Sequence, residues 1–323
     1  MVKAIVMLSG GLDSLLAVKL LQEQGIDILG INFYSPFFGN KNAVAASEKL
    51  GIKFVSIPLE KDYIKMIRKP KHGHGSGMNP CIDCKIFMLK KAKQIMKKEK
   101  ADFIATGEVL NERPMSQHRK ALDMIEEESG LKGKLLRPLS AKLLPETDSE
   151  KERMVNRDKL LDIEGRNRTR QIELATKYNI MDYPSPAGGC LLCEKEFAKK
   201  LIDLFNNQKK VTVEDAELLK IGRHFRFGKD KIVVARDHEE SDELSRLKGI
   251  KLELTDFPGP TTLLKRKSIF CFGKKAAIIK AAQLTVYHSK QSGNAVKVKY
   301  GRKFNKSILV QPIQEEEVEK LRI

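Results

Sequence analysis

The chain has 323 residues, 32% of them charged and 41% hydrophobic, a balance that excludes a disordered or fibrous protein and suggests about two domains. Sixty Lys and Arg against 42 acids leave a formal charge of +18, which suits a polyanionic partner, nucleic acid ahead of a membrane surface. No run approaches the ~20 apolar residues of a membrane span, and the first residues enter a strand directly. A cytoplasmic chain with no membrane partner is therefore expected.

Val2 to Met7 reads as a buried parallel strand, and Leu15 to Leu21 as a helix stopped by Gly25. Between them lies Leu8-Ser9-Gly10-Gly11-Leu12-Asp13-Ser14. A strand, a glycine pair and a helix start make an anion cradle. Backbone N–H groups can approach a pyrophosphate there, and the helix dipole favours its charge. Asp13 beside a triphosphate needs Mg²⁺ between them. No Lys follows the second glycine, so this is not the Walker pattern. A glycine-rich turn without a ligand is the plainer alternative.

Ile26 to Tyr34 reads as a second strand, Ala43 to Leu50 as a helix closed by Gly51, and Ile52 to Ile57 as a third strand ended by Pro58. This alternation predicts an α/β fold with a doubly wound parallel sheet, whose ligands sit at the carboxyl ends of the strands. Asn32 and Phe33 fall at such an end, where adenine would meet backbone groups and an apolar face.

His72 to Met78 is glycine-rich and predicts a mobile loop, with His72 and His74 either metal ligands or part of a polar lid. Lys85 to Lys100 predicts a helix with Ile86, Leu89, Ala92 and Met96 inward and a lysine face outward. A strand and its terminal turn follow from Ala101 to Glu108. Then come a helix from Arg113 to about Glu128, a strand at Leu135 to Leu139, and a charged helical region to about Ala175. Tyr183 to Cys193 is a loop, and a helix from Lys195 to Phe205 closes the first domain. The polar patch Asn206 to Lys210 marks the boundary, giving domains 1–205 and 206–323. Beyond it, Phe225–Phe227 and Ile232–Ala235 flank a hairpin turn at Gly228-Lys229-Asp230. A helix at Ser241 to Leu247, a strand at Lys251 to Leu254, a helix near Lys274 to Leu284 and strands at Val296 to Tyr300 and Ile308 to Pro312 complete a smaller α+β domain.

Of the five cysteines, Cys81 and Cys84 form one C-x-x-C pair and Cys190 and Cys193 another. In a reducing compartment such pairs read as metal or redox chemistry rather than structural disulfides. Cys271, within Ile269-Phe270-Cys271-Phe272, reads as a core residue.

Five pieces now carry a resemblance: Ser9 to Ser14, Asn79-Pro80-Cys81-Ile82-Asp83-Cys84, Ala105-Thr106-Gly107-Glu108, Arg113-Pro114-Met115-Ser116-Gln117 and Gly188-Gly189-Cys190. With them the N-terminal two-thirds resembles the PP-loop tRNA thiolation enzymes, the 4-thiouridine synthases and 2-thiouridylases. The S-G-G-x-D-S loop marks the wider superfamily of ATP pyrophosphatases, and the cysteine placement narrows it to sulfur transfer. The RNA-binding module that precedes this loop in 4-thiouridine synthases has no counterpart in the sequence. The C-terminal third resembles the RNA-binding domain of the NFACT proteins through Arg223-His224-Phe225-Arg226-Phe227, Asp256-Phe257-Pro258-Gly259-Pro260 and Tyr287-His288-Ser289. Basic and aromatic residues interleaved in Arg223 to Phe227 could stack bases, although a core strand has the same pattern.

The resemblance implies a tRNA sulfurtransferase. ATP would be held by Ser9, Gly10, Gly11 and Ser14, with Asp13 on Mg²⁺ and with Asn32, Phe33 and Gly107 beside the nucleotide. A uracil carbonyl oxygen is adenylated, and sulfur from an unidentified donor then displaces AMP, with Cys84, Cys190 and Asp13 catalytic. Three readings of the cysteines stay open. Cys190 or Cys84 carries a persulfide; or Cys81, Cys84 and Cys190, with Cys193 as a fourth ligand, hold a [4Fe–4S] cluster; or all four hold Zn²⁺. Rival functions are a PP-loop ligase or amidotransferase, in which an amine attacks the adenylate, and a non-catalytic RNA-binding factor.

Overall fold

Five short apolar segments pair in parallel: β1 (Lys3–Met7), β2 (Asp27–Tyr34), β3 (Lys53–Pro58), β4 (Phe103–Thr106) and β5 (Leu135–Leu136). Their order in the sheet is β3-β2-β1-β4-β5 in this computed structural model. The structure describes residues 1–185, 189–267, 273–289, 295–301 and 304–323. Expectations placed on Gly188 and on Cys271 lie outside the described residues. Ala4, Ile5 and Val6 have no exposure, as a central strand covered on both faces requires. The chain runs outward from β1 to β3 and returns to β4 on the other side of β1. That reversal opens a crevice at the carboxyl ends of β1 and β4.

Helices α1 (Leu12–Gln22), α2 (Lys41–Leu50), α3 (Lys61–Arg68), α4 (Cys81–Lys98), α5 (Arg119–Ser129), α6 (Asp148–Lys151) and α7 (Thr169–Lys177) complete this part. Three of them start earlier than the sequence suggests, α2 by two residues, at Lys41 rather than Ala43. Helix α1 begins at Leu12, which puts Asp13 and Ser14 in its first turn. Helix α4 begins at Cys81, because Pro80 precedes it and its carbonyl accepts from Cys84 N at 2.8 Å. Helix α5 starts later, at Arg119, since Arg113 to Gln117 turns on itself and the His118 ring caps Ala121 N at 3.3 Å. The charged region before Ala175 is mostly short turns, interrupted at Pro145 and Gly165. Helix α3 was not expected; Tyr63, Ile64 and Ile67 bury one face of it.

Two compact units emerge, Met1–Lys195 and Glu196–Ile323. The division falls at the start of α8 (Lys195–Asn207), whereas the sequence-based boundary at 205/206 falls near its end. The second unit continues with α9 (Val213–Glu217), α10 (His238–Arg246), α11 (Lys274–Tyr287) and α12 (Glu315–Leu321). Its strands are β6 (Arg223–Phe227), β7 (Asp230–Val234), β8 (Ile250–Leu254), β9 (Thr262–Lys265), β10 (Val296–Gly301) and β11 (Lys306–Val310), all antiparallel, in the order β11-β10-β8-β9-β7-β6. Ala277, Ala281 and Leu284 of α11 pack on this sheet with Phe225, Ile232 and Leu264. Strand β9 and helix α12 were not expected from the sequence. Among the described residues no helix is long and apolar enough to cross a membrane.

Candidate active site

The loop from β1 to α1 is built by its own side chains. Gly10 sits at φ +80°, and a Cβ there would lie 2.3 Å from the carbonyl carbon of Asn42, so only glycine lets the loop back onto α2. Gly11 N donates to Ser9 Oγ at 3.3 Å, Ser9 Oγ donates to Ser14 Oγ at 3.3 Å, and Ser14 Oγ donates to Gly11 O at 2.8 Å. The hydroxyls thus hold the turn and Ser14 N closes it on Gly11 O at 3.0 Å, while the Leu12 amide that opens α1 has no acceptor a turn back in the helix. Gly107, just after β4, closes the other side: a Cβ on it would lie 2.5 Å from Ser14 N. Asn32 Nδ2 donates to Leu8 O at 2.9 Å and ties β2 to the start of the loop. Phe33 is buried at 3% exposure, so its ring has no free face for adenine and only its backbone lies at the strand end.

Asp13 is the charged centre of this loop. Its Oδ2 lies 3.7 Å from Arg168 Nη2, and its Oδ1 is buried with no hydrogen bond of normal geometry. Burial raises the Asp13 pKa, against the opposing pull of Arg168, its own backbone amide, Arg113 and Gln171. A carboxylate oxygen left without a partner beside an anion cradle fits Mg²⁺, which takes one or two carboxylates and completes its shell with phosphate oxygens and water. Arg168, Gln171 and Glu112, whose carboxyl interacts with that of Asp13, are site residues the sequence reading missed. No local motif marks them, for they reach Asp13 only through the fold.

Behind the crevice, Glu108 joins three elements. It accepts from Lys85 of α4, from Arg137 Nε at 3.1 Å and from Thr106 Oγ1 at 3.1 Å, and Arg137 also reaches Glu126 at 3.0 Å. Burial pushes the Glu108 carboxyl up, but the Lys85 and Arg137 charges outweigh it and hold it down to about 2. Glu108→Gln leaves two cations facing a neutral amide and should cost roughly 3–5 kcal/mol of stability. The sign with pH follows. A depressed folded pKa contributes stability that is full above the unfolded value of about 4.3 and is lost as pH falls toward 2. Urea midpoints at pH 5 and pH 3 should therefore fall more for the wild type than for Glu108→Gln; equal slopes would dismiss the ion cluster as a source of stability.

The loop before α4 is pinned rather than loose. Asp83 accepts from the backbone N–H groups of Lys71 and His72 at 2.9 Å each, His72 Nε2 lies 3.1 Å from Glu128, and His74 Nε2 lies 2.7 Å from Ile67 O. Met78 N donates to Leu192 O at 2.8 Å, and a Cβ on Gly77 would lie 2.4 Å from that same oxygen. This glycine approach docks the first cysteine loop on the short 3₁₀ turn Leu191–Cys193. Leu191 N is held in turn by Phe37 O at 2.9 Å.

All four thiols are free and near enough to affect one another's ionisation. Tyr63 Oη lies 3.0 Å from Cys84 Sγ, and Asn79 Nδ2 donates to Cys81 Sγ at 3.2 Å. Burial pushes the Cys84 thiol up to about 12, with the Tyr63 hydrogen bond opposing it, and burial raises Cys190 and Cys193 as well. Near neutral pH, Cys84 and Cys190 are thiols, not thiolates. Among the described residues no three Cys, His, Asp or Glu side chains stand so as to hold a metal ion. No chemical step is therefore assigned to a cluster or to zinc. The charge of Arg113 opposes, as a smaller contribution, the burial that raises both Asp13 and Cys193. The sequence signal for it was the Arg113-Pro114-Met115-Ser116-Gln117 motif.

In the second unit, Phe225 has no exposure and stacks within 5.6 Å of His288, while Arg322 covers its ring at 5.7 Å. Arg226 is paired with Asp203, and Arg223 donates to Ala235 O at 3.2 Å. Phe225 is therefore a core residue that cannot stack a base, whereas Arg223, Arg226 and Phe227 of this edge strand are half-buried.

Known families match the two ends of the chain separately. A family model described as the tRNA methyl transferase HUP domain matches residues 2–144, and one described as the NFACT protein RNA binding domain matches residues 222–322. The tRNA-specific 2-thiouridylase MnmA of Karelsulcia muelleri is 27% identical over 237 residues, 66% of this chain and 57% of that protein. The MnmA 1 of Clostridium tetani is 32% identical over 130 residues, 34% of each chain. This chain thus spans little more than half the length of the first relative and a third of the second. Among solved structures, a 4-thiouridine synthetase–RNA complex with bound ATP is similar at a TM-score of 0.39 and 20% identity, over 68% of this chain and 52% of that one.

Proposed function

We propose that this chain, whose first unit resembles the PP-loop tRNA thiolation enzymes and whose second resembles the NFACT RNA-binding domain, thiolates a uridine of tRNA using ATP in the cytoplasm. The observation that carries the reading is the docking of the first cysteine loop on the turn of the second, Met78 N on Leu192 O at 2.8 Å, which brings two C-x-x-C pairs together in the same unit as the S-G-G-x-D-S loop. Thiols and an anion cradle in one unit suit activation followed by sulfur delivery. An amine-transferring ligase would have no use for four thiols there.

Ser9, Gly10, Gly11 and Ser14 cradle the phosphates of ATP, and Gly107 lets β4 close on the first turn of α1. Asp13 would hold Mg²⁺ through its unpartnered oxygen, and the metal would there offset the charge of the phosphates and of the leaving pyrophosphate. A uracil carbonyl oxygen attacks the α-phosphorus, and the carbon becomes an electrophile with AMP as its leaving group. The sulfur is delivered as a persulfide on Cys190. Its terminal sulfur bonds the carbon as AMP departs; Cys84 then attacks the sulfur of Cys190, closing a disulfide and releasing the thiocarbonyl. Tyr63 positions Cys84 for that attack through its hydrogen bond.

Purified protein given ATP, a persulfide donor and bulk tRNA should release pyrophosphate only with tRNA present and should yield a thiouridine seen by nucleoside mass spectrometry. Pyrophosphate release without any thionucleoside would support the amine-transfer alternative. Tight tRNA binding without pyrophosphate release would make the chain an RNA-binding factor.

A further inference from the structure

The second unit has a cavity of about 340 Å³ whose walls carry Arg226, Lys229, Lys231, Lys265, Arg266 and Lys267. Three of these cations stand side by side across neighbouring strands. In the sheet register Arg226 of β6 is opposite Lys231 of β7, and Lys231 is opposite Lys265 of β9. Like charges directly opposite one another destabilise a sheet, so the arrangement needs a compensating anion. The protein supplies it only in part. Arg226 pairs with Asp203, Lys265 with Asp215 at 2.8 Å, and Arg266 with Asp230 at 3.1 Å. Lys267 Nζ bonds to the Asn207 carbonyl. The middle cation has no hydrogen-bond partner of its own and shares only the more distant charge of Asp203: Lys231 is 6% exposed and its Nζ is buried. A buried ammonium with no hydrogen-bond partner is costly, so it either gives up its proton or takes an anion as its partner.

We propose that the Arg226–Lys231–Lys265 triad is a phosphate-binding site that receives a phosphate group of tRNA. The proposal rests on the RNA reading of the second unit and gives it a grip other than the buried Phe225 of β6. Its chemistry is that of a phosphate oxygen accepting from Lys231 Nζ at the floor of the cavity, with exposed Lys229 at the rim. The groups acting on Lys231 are Asp203, Arg226, Lys265 and Lys200. Burial, with the three cations adding to it against the pull of Asp203, brings the Lys231 amine down to about 7. An anion in the cavity restores its proton, so anion binding takes up a proton above that pH and weakens up to tenfold per pH unit.

Sulfate is the probe, because it does not titrate in this range. Calorimetry on the full chain should find sulfate binding that weakens above pH 7. In Lys231→Met, an apolar replacement of similar length, sulfate binding and its pH dependence should vanish and tRNA affinity should fall roughly ten- to a hundredfold. Lys229→Ala changes an exposed side chain that the fold does not need, and it should weaken both ligands severalfold. A parallel loss of wild-type affinity on removing the tRNA 5′-phosphate assigns the terminal phosphate to the site; unchanged affinity on that removal assigns an internal one. Wild-type sulfate and tRNA affinities in both variants would overturn the site while leaving the RNA reading intact. A wild-type chain that binds sulfate but no tRNA would overturn the RNA reading itself.

Discussion

Asp13→Asn should lower tRNA-dependent pyrophosphate release by roughly 10²–10³-fold while leaving the melting temperature unchanged. The side chain is partly exposed, and burial already disfavours its charge, so an uncharged amide of the same shape costs the fold little. What is lost is the carboxylate oxygen that has no hydrogen-bond partner in the fold, and with it the proposed means of placing Mg²⁺ against the phosphates. ATP should still bind through the loop amides, since these come from Gly10, Gly11 and the first turn of α1 rather than from Asp13. Equal pyrophosphate release by Asp13→Asn and the wild type would remove Asp13 from the mechanism and weaken the nucleotide assignment of the whole loop.

Cys190→Ser and Cys84→Ser should each abolish thiouridine formation, a loss of at least about 10³-fold, with different intermediates left behind. Without Cys190 no sulfur reaches the activated base, and adenylated tRNA accumulates. Without Cys84 the sulfur reaches the base but stays bonded to Cys190, so the protein–tRNA mixed disulfide should be trapped and released by dithiothreitol. With Cys84 in place, Tyr63→Phe should slow its displacement of the thiouridine from Cys190 without preventing it, because it removes only the hydrogen bond at Cys84 Sγ. Both thiols are held protonated by burial, which predicts slow alkylation by iodoacetamide near neutral pH in the resting protein. Intact-mass measurement reads the trapped protein–tRNA adduct and the alkylation, and nucleoside mass spectrometry reads the thiouridine and the adenylated tRNA. Stoichiometric iron in anaerobically purified protein, lost together with activity in Cys81→Ser, would overturn the persulfide route in favour of a cluster.

Much of the first unit was legible before any coordinates. The runs Lys3–Met7, Asp27–Tyr34 and Lys53–Pro58 are apolar and short and end in turn residues, so their strand character is local information. The loop between β1 and α1 was legible for the same reason, as its hydrogen bonds run among residues 9 to 14. Helix starts were less legible. Cysteines at 81 and 84 carry no strong helix signal, and it is the Pro80 carbonyl bonded to Cys84 N that sets the start of α4. The Phe225 pattern misled because alternating aromatic and basic residues describe a core strand and a base-stacking ribbon equally well. Burial under α11 and Arg322 decided between them.

The sequence by itself determined the parallel α/β unit, the anion cradle at its first strand, the two cysteine pairs and the basic character of the rest. Each of these depends on residues a few positions apart or on composition, which survive without knowledge of the fold. Tertiary structure alone decided which of those parts meet. Gly77 admits the Leu192 carbonyl and so brings residues 81 and 84 to 190 and 193, and Gly107 admits the first turn of α1. Arg168 and Gln171 reach Asp13 from a helix more than a hundred residues away in the chain. The register of β6, β7 and β9 lined up Arg226, Lys231 and Lys265, three lysines and arginines among sixty, and left the middle one without a hydrogen-bond partner. Such encounters are set by sheet order and backbone approach, and pairings of that kind leave no periodicity in a single sequence.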